Sequence, residues 1–230
     1  TGITLIRKTK FEAPNIDCSK PSHLPQPPQP FLMIKALHSF RTSMMLLAMT
    51  LLTQMGWGQV TLPHSDPLNY TVGQSLTAQA GWTLINTATS DMLISSGNLS
   101  YTGLASSSGN KVLFVSSGED AAKSFTQQTS GTVYFSFLLN VTSLGALNST
   151  GGYFAALNEG STSNYGASVW TRLNGANYDI GINPRTTAAN TVWSSSATSL
   201  NTTVFIVISY QLVSGIGNDI VKIWINPTPG

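Results

Sequence analysis

Apolar and polar positions alternate with period two along most of the second half of the chain. In "TVYFSFLLNV", Val133, Phe135, Phe137, Leu139 and Val141 fall on one face, and Tyr134, Ser136, Leu138 and Asn140 on the other. "VFIVISYQLV" repeats the pattern, with Val204, Ile206, Ile208, Tyr210 and Leu212 opposed to Phe205, Val207, Ser209, Gln211 and Val213. Alternation in β-branched and aromatic residues predicts strands, because successive side chains leave a strand on opposite sides. "NLSYTGL", "KVLFVSS", "KSFTQQ", "GYFAALN", "GASVWTRL", "NYDIGIN" and "DIVKIWIN" predict further strands. Turn clusters such as "ASSSGN", "SSGED", "NEGSTSN", "RLNGAN" and "SGIGND" separate them. Helical periodicity is almost absent. About ten short strands so spaced predict an all-β fold of two packed antiparallel sheets, a sandwich or jelly roll.

The segment before this region reads differently. Lys35 and Arg41 precede an uncharged, mostly apolar run from Ser43 to Met55, followed by Gly56, Trp57, Gly58 and Gln59. Crossing a bilayer as a helix takes about twenty residues, so the run is too short for a stable membrane anchor and suits a secretory signal. Residues 33–58 are therefore expected to be a signal peptide starting at Met33, cleaved between Gly58 and Gln59, with the product secreted or held at the cell surface. Residues 1–32 contain the proline-rich "SKPSHLPQPPQPF" and are expected to be a disordered, non-native or upstream extension. The domain proper is 59–230.

Charge then narrows the partners. Charged residues are 9% of the chain, against roughly 25% in ordinary soluble domains. From Val60 onward Lys111, Lys123, Arg172, Arg185 and Lys222 face Asp66, Asp91, Glu119, Asp120, Glu159, Asp179 and Asp219, so this part is weakly acidic. Nucleic acid is not expected, since that contact needs clustered Lys and Arg. Cys18 is the one cysteine and lies in the extension.

Candidate chemistry is sparse. Trp170 shares a strand face with Ser168 and Arg172, and Trp224 shares one with Lys222 and Ile220. Trp170, Arg172, Lys222 and Trp224 are the candidate ligand-binding residues, an aromatic beside a cation being a surface on which a sugar ring stacks; packing under loops is the competing account. No cofactor is expected. Calcium is the one metal the loops could hold, through Asn177 with Asp179 and Asn218 with Asp219, although Asn and Asp also favour turns for their own hydrogen bonds. His64 is the only histidine after Gln59, and zinc or triad chemistry has no ligand set. The Asn-x-Ser/Thr triplets at Asn69, Asn98, Asn140, Asn148 and Asn201 follow from a composition rich in these residues.

The run "ISSGNLSYTGLASSSGNKVLFVSSGEDAAKSF", then "SGTVYFSFLLNVTSLG", "GYFAALNEG", "NYDIGI" and "DIVKIWINP" resembles the laminin-G-like, concanavalin A-like lectin/glucanase jelly rolls of secreted multidomain proteins of Bacteroidetes and related bacteria. The resemblance implies a curved two-sheet sandwich, one module among others of a larger extracellular protein, with polysaccharide or cell-surface glycan as partner. It also implies a return strand beyond "VKIWINP", so the fragment is expected to be truncated at its C-terminus. Catalytic members of this fold carry a Glu-x-Asp-x-x-Glu strand that brings two carboxyls together, as retaining glycosidases require. This chain has no such segment: Glu119 and Asp120 lie in "SSGEDAA" and Glu159 in "LNEGST", all expected to be solvated turn carboxylates. The expected function is a non-catalytic binding or adhesion module, with a ligand-free spacer as the alternative and a glycoside hydrolase using Glu119 or Glu159 as a minor one.

Overall fold

In a computed structural model, residues 2–5 and 59–229 are described, except 116–117 and 160–163, and they are all-β. Twelve strands are present among them: β1 Gly2–Leu5, β2 Trp82–Asn86, β3 Leu93–Ser95, β4 Lys111–Leu113, β5 Asp120–Ser124, β6 Gly131–Asn140, β7 Gly152–Asn158, β8 Tyr165–Asn174, β9 Asn177–Asn183, β10 Val192–Trp193, β11 Thr203–Leu212 and β12 Ile220–Ile225. Helix is confined to two short 3-10 turns, Leu76–Ala78 and Ala188–Asn190.

The strands form a seven-stranded sheet in the order β10-β9-β8-β7-β1-β5-β2, a three-stranded sheet in the order β12-β11-β6, and the β3-β4 hairpin. All ladders between named strands are antiparallel. The two larger sheets share one core. From the three-stranded sheet it takes Val133, Phe135, Leu139, Val204, Ile206, Ile208 and Tyr210, and from the seven-stranded sheet Ala155, Leu157, Val169, Tyr178, Ile180 and Ile182. The inward faces are therefore those the alternation predicts. Each fully buried Val, Leu or Ile adds about 1.5–3 kcal/mol of transfer free energy, which is what locks the register of strands this short. Gly166 belongs to this packing as well: a Cβ there would sit 3.2 Å from the Tyr210 ring of the opposite sheet.

The closing hairpin forms as expected. Asp219 holds its turn, accepting from Val213 N at 2.8 Å and from the Tyr210 hydroxyl at 2.5 Å, while Asn218 Nδ2 donates to Ser214 O at 2.7 Å. The Tyr210 hydrogen bond, with Val213 N and the charge of Arg185 behind it, holds the Asp219 carboxyl below its ordinary range, although burial opposes this.

Two expectations are corrected. "NLSYTGL" is not a strand; it is a turn-rich segment whose Tyr101 ring lies 5.6 Å from Phe205, on the outward side of β11. Residues 1–32 are not wholly outside the fold either. Gly2–Leu5 form β1, inserted between β5 and β7, because both strands offer that side of their ladders to it. The remainder of 1–32 and the whole of 33–58 lie outside the described residues, Gly58 included; Gln59 is exposed, and Val60 bridges to Phe125.

A second small core of Leu76, Met92, Ile94 and Ala121 closes the β2 end of the sheet. Beside it Asp66 accepts from Leu68 N at 2.9 Å, the Tyr70 hydroxyl at 2.8 Å, Trp82 Nε1 at 3.1 Å and Lys123 Nζ. Burial would raise this carboxyl, but the bonds from Lys123, Leu68 and Tyr70 outweigh it and hold it low. The cluster fastens the entering chain to β2 and β5.

Candidate functional site

The face of the seven-stranded sheet that turns away from the core carries the chemistry. Two bulges arrange it. The β7–β8 register shifts between Tyr153 and Ala155 and again between Ala155 and Leu157, where Ala167 adopts φ 48°. An extra residue in a strand resets which side the next side chain leaves on. Tyr153 and Ala156 thereby share the outward face although three residues apart, as do Tyr165 and Ser168 in β8.

Four aromatic rings result, in contact across the sheet. Trp193 on β10 meets Trp170 on β8 edge-to-face, centroids 6.5 Å apart at 86°. Trp170 lies 5.3 Å from Tyr153 on β7, and Tyr153 lies 6.0 Å from Tyr165. Gly181 stands between the two indoles, opposite both in register. A Cβ there would come 2.8 Å from Trp193 and 2.7 Å from Thr191, so the ring contact requires glycine. Such pairs contribute about 0.5–1.5 kcal/mol each beyond area burial. Trp170 and Tyr165 are buried, while Tyr153 and Trp193 are half-buried.

A charged pair flanks the rings. Arg172 Nε donates to Asp179 Oδ2 at 2.9 Å, and Asn174 Nδ2 donates to Asp179 Oδ1 at 2.8 Å. The guanidinium carbon sits 4.4 Å from the Trp193 ring centre. Its two terminal nitrogens have no protein acceptor among the described residues. At the far end Ser168 Oγ accepts from Trp170 Nε1 at 2.8 Å and donates to Arg185 O, and Asn183 is fixed by Thr187 O, Thr191 Oγ1 and Arg185 N. Near Tyr165, Asp120 is paired with Asn86 at 2.7 Å. Burial, the neighbouring Tyr153 and the Asp120 charge push the Tyr165 hydroxyl up to about 12, and burial with Asp120 raises Tyr153 likewise.

The candidate residues read from sequence divide between two faces. Trp170 and Arg172 are together on this one, with Ser168 as expected. Lys222 and Trp224 are on β12, on the outward side of the other sheet, since Val221, Ile223 and Ile225 face the shared core. The four do not form one site. Tyr153, Tyr165 and Trp193 were not legible as site residues, because the bulges break period two and only strand order brings β10 beside β9.

Of the calcium candidates, Asp179, Asn218 and Asp219 make hydrogen bonds within the protein. Both oxygens of Asp179 accept from Arg172 and Asn174, and both of Asp219 from Tyr210 and Val213. No group of three or more His, Cys, Asp or Glu side chains placed to hold a metal ion occurs among the described residues. Glu119 is not a solvated turn carboxylate but is buried: Oε1 accepts from Ser75 Oγ at 2.7 Å and Met92 N at 3.0 Å, and Oε2 from Thr77 Oγ1 at 3.1 Å. Asp120 is buried as well. Three donors, on Ser75, Thr77 and Met92, converge on the carboxylate and offset its burial. Glu159 remains exposed and meets Arg185 at 3.4 Å.

No family model, curated protein or solved structure matches the chain. No helix among the described residues is long and apolar enough to cross a membrane.

Proposed function

We propose that this chain is a non-catalytic module that binds carbohydrate on the outward face of the seven-stranded sheet. The observation that carries the reading is the set of half-buried rings of Tyr153 and Trp193 beside Arg172, whose guanidinium lies over an indole with both terminal nitrogens uncommitted among the described residues. A sugar ring offers an apolar C–H face for stacking and hydroxyls for charged donors, and this surface supplies both. Trp170, Tyr165 and Asp179 position those groups from beneath.

The test is binding of the full chain to a panel of neutral and acidic polysaccharides, repeated with Trp193→Ala, Arg172→Ala and Trp224→Ala. Loss of binding in the first two and retention in the third is expected. A folded chain that binds nothing on the panel would return the module to the role of spacer, and loss only in Trp224→Ala would move the site to β12.

A further inference from the structure

β1 reaches its sheet unlike any other strand. Residues 6–58 separate it in sequence from Gln59, yet it pairs on both sides: Gly2–Leu5 with Ala121–Ser124 of β5, and Gly2–Thr4 with Ala156–Asn158 of β7. Without it, β5 and β7 would each present an unpaired ladder edge across a gap two strand spacings wide, roughly 9–10 Å. The residues that face β1 across the two ladders include Ala121, Ala122 and Ala156, all buried. An unpaired edge on each side is a template for any extended segment of matching register.

We propose that this slot is a strand-exchange site, in which Gly2–Leu5 of a second copy takes the place of the chain's own strand and two copies become joined by reciprocally swapped strands. The second copy is the fitting occupant because its strand makes the same bonds in the same register, with no new surface needed. The two strands differ only in that the chain's own is covalently linked, so exchange is expected to grow as concentration rises toward the effective concentration of the linked strand. Exchange of this kind closes on itself, so it produces a dimer.

The inference stands on β1 and does not depend on carbohydrate binding. It is tested on the full chain, its intact mass first verifying that Gly2–Leu5 is present, by light scattering across a range of concentrations. A dimer fraction that rises with concentration is expected, and the double variant Ile3→Pro/Thr4→Pro abolishes it. Successive N–H groups along a strand point to opposite neighbours, so the two prolines remove one donor from each ladder. A labelled peptide of residues 1–8 is then expected to bind the double variant, whereas the peptide carrying both prolines does not. Should the double variant not fold alone, the native peptide added during refolding is expected to restore its β spectrum. A chain that is monomeric at every concentration, a dimer that persists in the double variant, or a native peptide that neither binds nor restores folding would each overturn exchange. Strand exchange without polysaccharide binding would overturn the carbohydrate reading alone.

Discussion

The two outward faces of the sandwich use the same kinds of residue and arrive at opposite results. On the seven-stranded sheet, Trp170, Trp193, Tyr153 and Tyr165 touch one another, and Arg172 is held between Asp179 and an indole. On the three-stranded sheet, Tyr134 and Trp224 make no ring contact and Lys222 no ion pair among the described residues; Tyr134 is 64% exposed and Trp224 41%. The difference lies in the strands beside them. Two bulges and Gly181 bring rings from three strands within reach on one face, whereas the regular β6, β11 and β12 put no second strand ring beside Tyr134 or Trp224, and Phe205 meets only Tyr101, which comes from a loop.

That comparison predicts a large asymmetry in stability. Trp170→Ala removes a buried indole, its contacts with Tyr153 and Trp193 and the bond to Ser168, and is expected to cost about 3–5 kcal/mol in denaturant unfolding. Trp224→Ala on the other face is expected to cost under about 1 kcal/mol, as surface changes do. Equal losses would show that the outward faces are packed alike.

Alkaline titration probes the same face. Tyr165 has its hydroxyl pushed up to about 12 by burial, Tyr153 and Asp120, and Tyr178 in the core reaches about 12 by burial alone. A folded-state value above the unfolded one stabilises the protein fully below the unfolded value, near 10, and that contribution is lost as pH rises from there toward 12. The melting temperature is therefore expected to fall steadily across this window, with Tyr165→Phe removing part of the slope. A slope unchanged in Tyr165→Phe would mean that the ring is not sealed by its neighbours.

A smaller effect separates the two cations. Asp179→Ala leaves Arg172 Nε and Asn174 Nδ2 without their acceptor beneath the rings and is expected to cost about 2 kcal/mol. Lys222→Ala, which breaks no pairing among the described residues, is expected to stay within about 0.5 kcal/mol. Comparing the two denaturation midpoints checks both.

How far these features could be read in the sequence follows from the same contrast. The core faces of β6, β11 and β12 were legible residue by residue, since period two runs through them unbroken. β7, β8 and β9 were legible as strands, and Ser168, Trp170 and Arg172 as one face, because the bulge precedes Ser168. The ring group was not, since Tyr153 and Tyr165 lie beyond bulges and Trp193 belongs to a two-residue strand with no period to read. β2 and β3 are too short and mixed for alternation to mark them. Burial of Glu119 was hidden as well, because its partners Ser75, Thr77 and Met92 are local only after folding. β1 could not be found by composition: four residues upstream of a proline-rich stretch carry no strand signal that outweighs their surroundings. Cleavage after Gly58 would leave β1 joined to its sheet by ladder hydrogen bonds alone, and N-terminal sequencing of the native protein shows whether that cut is made.

The one predicted gain in stability concerns the layer between the two faces. Tyr178 is fully buried in the shared core, and its hydroxyl has no hydrogen-bond partner among the described residues. A hydroxyl taken out of water without a partner costs about 1–3 kcal/mol, while its ring packs as well without the oxygen. Removing the group should release part of that penalty, less a small loss of contacts where the oxygen had filled space. Tyr178→Phe is therefore expected to stabilise the fold by up to about 1 kcal/mol and to leave polysaccharide binding unchanged, since the residue points away from the ring group. The sign is the informative part: a destabilised Tyr178→Phe would mean that the hydroxyl holds a partner inside the core, and the core, rather than either outward face, would then be where the polar chemistry of this sandwich is concentrated.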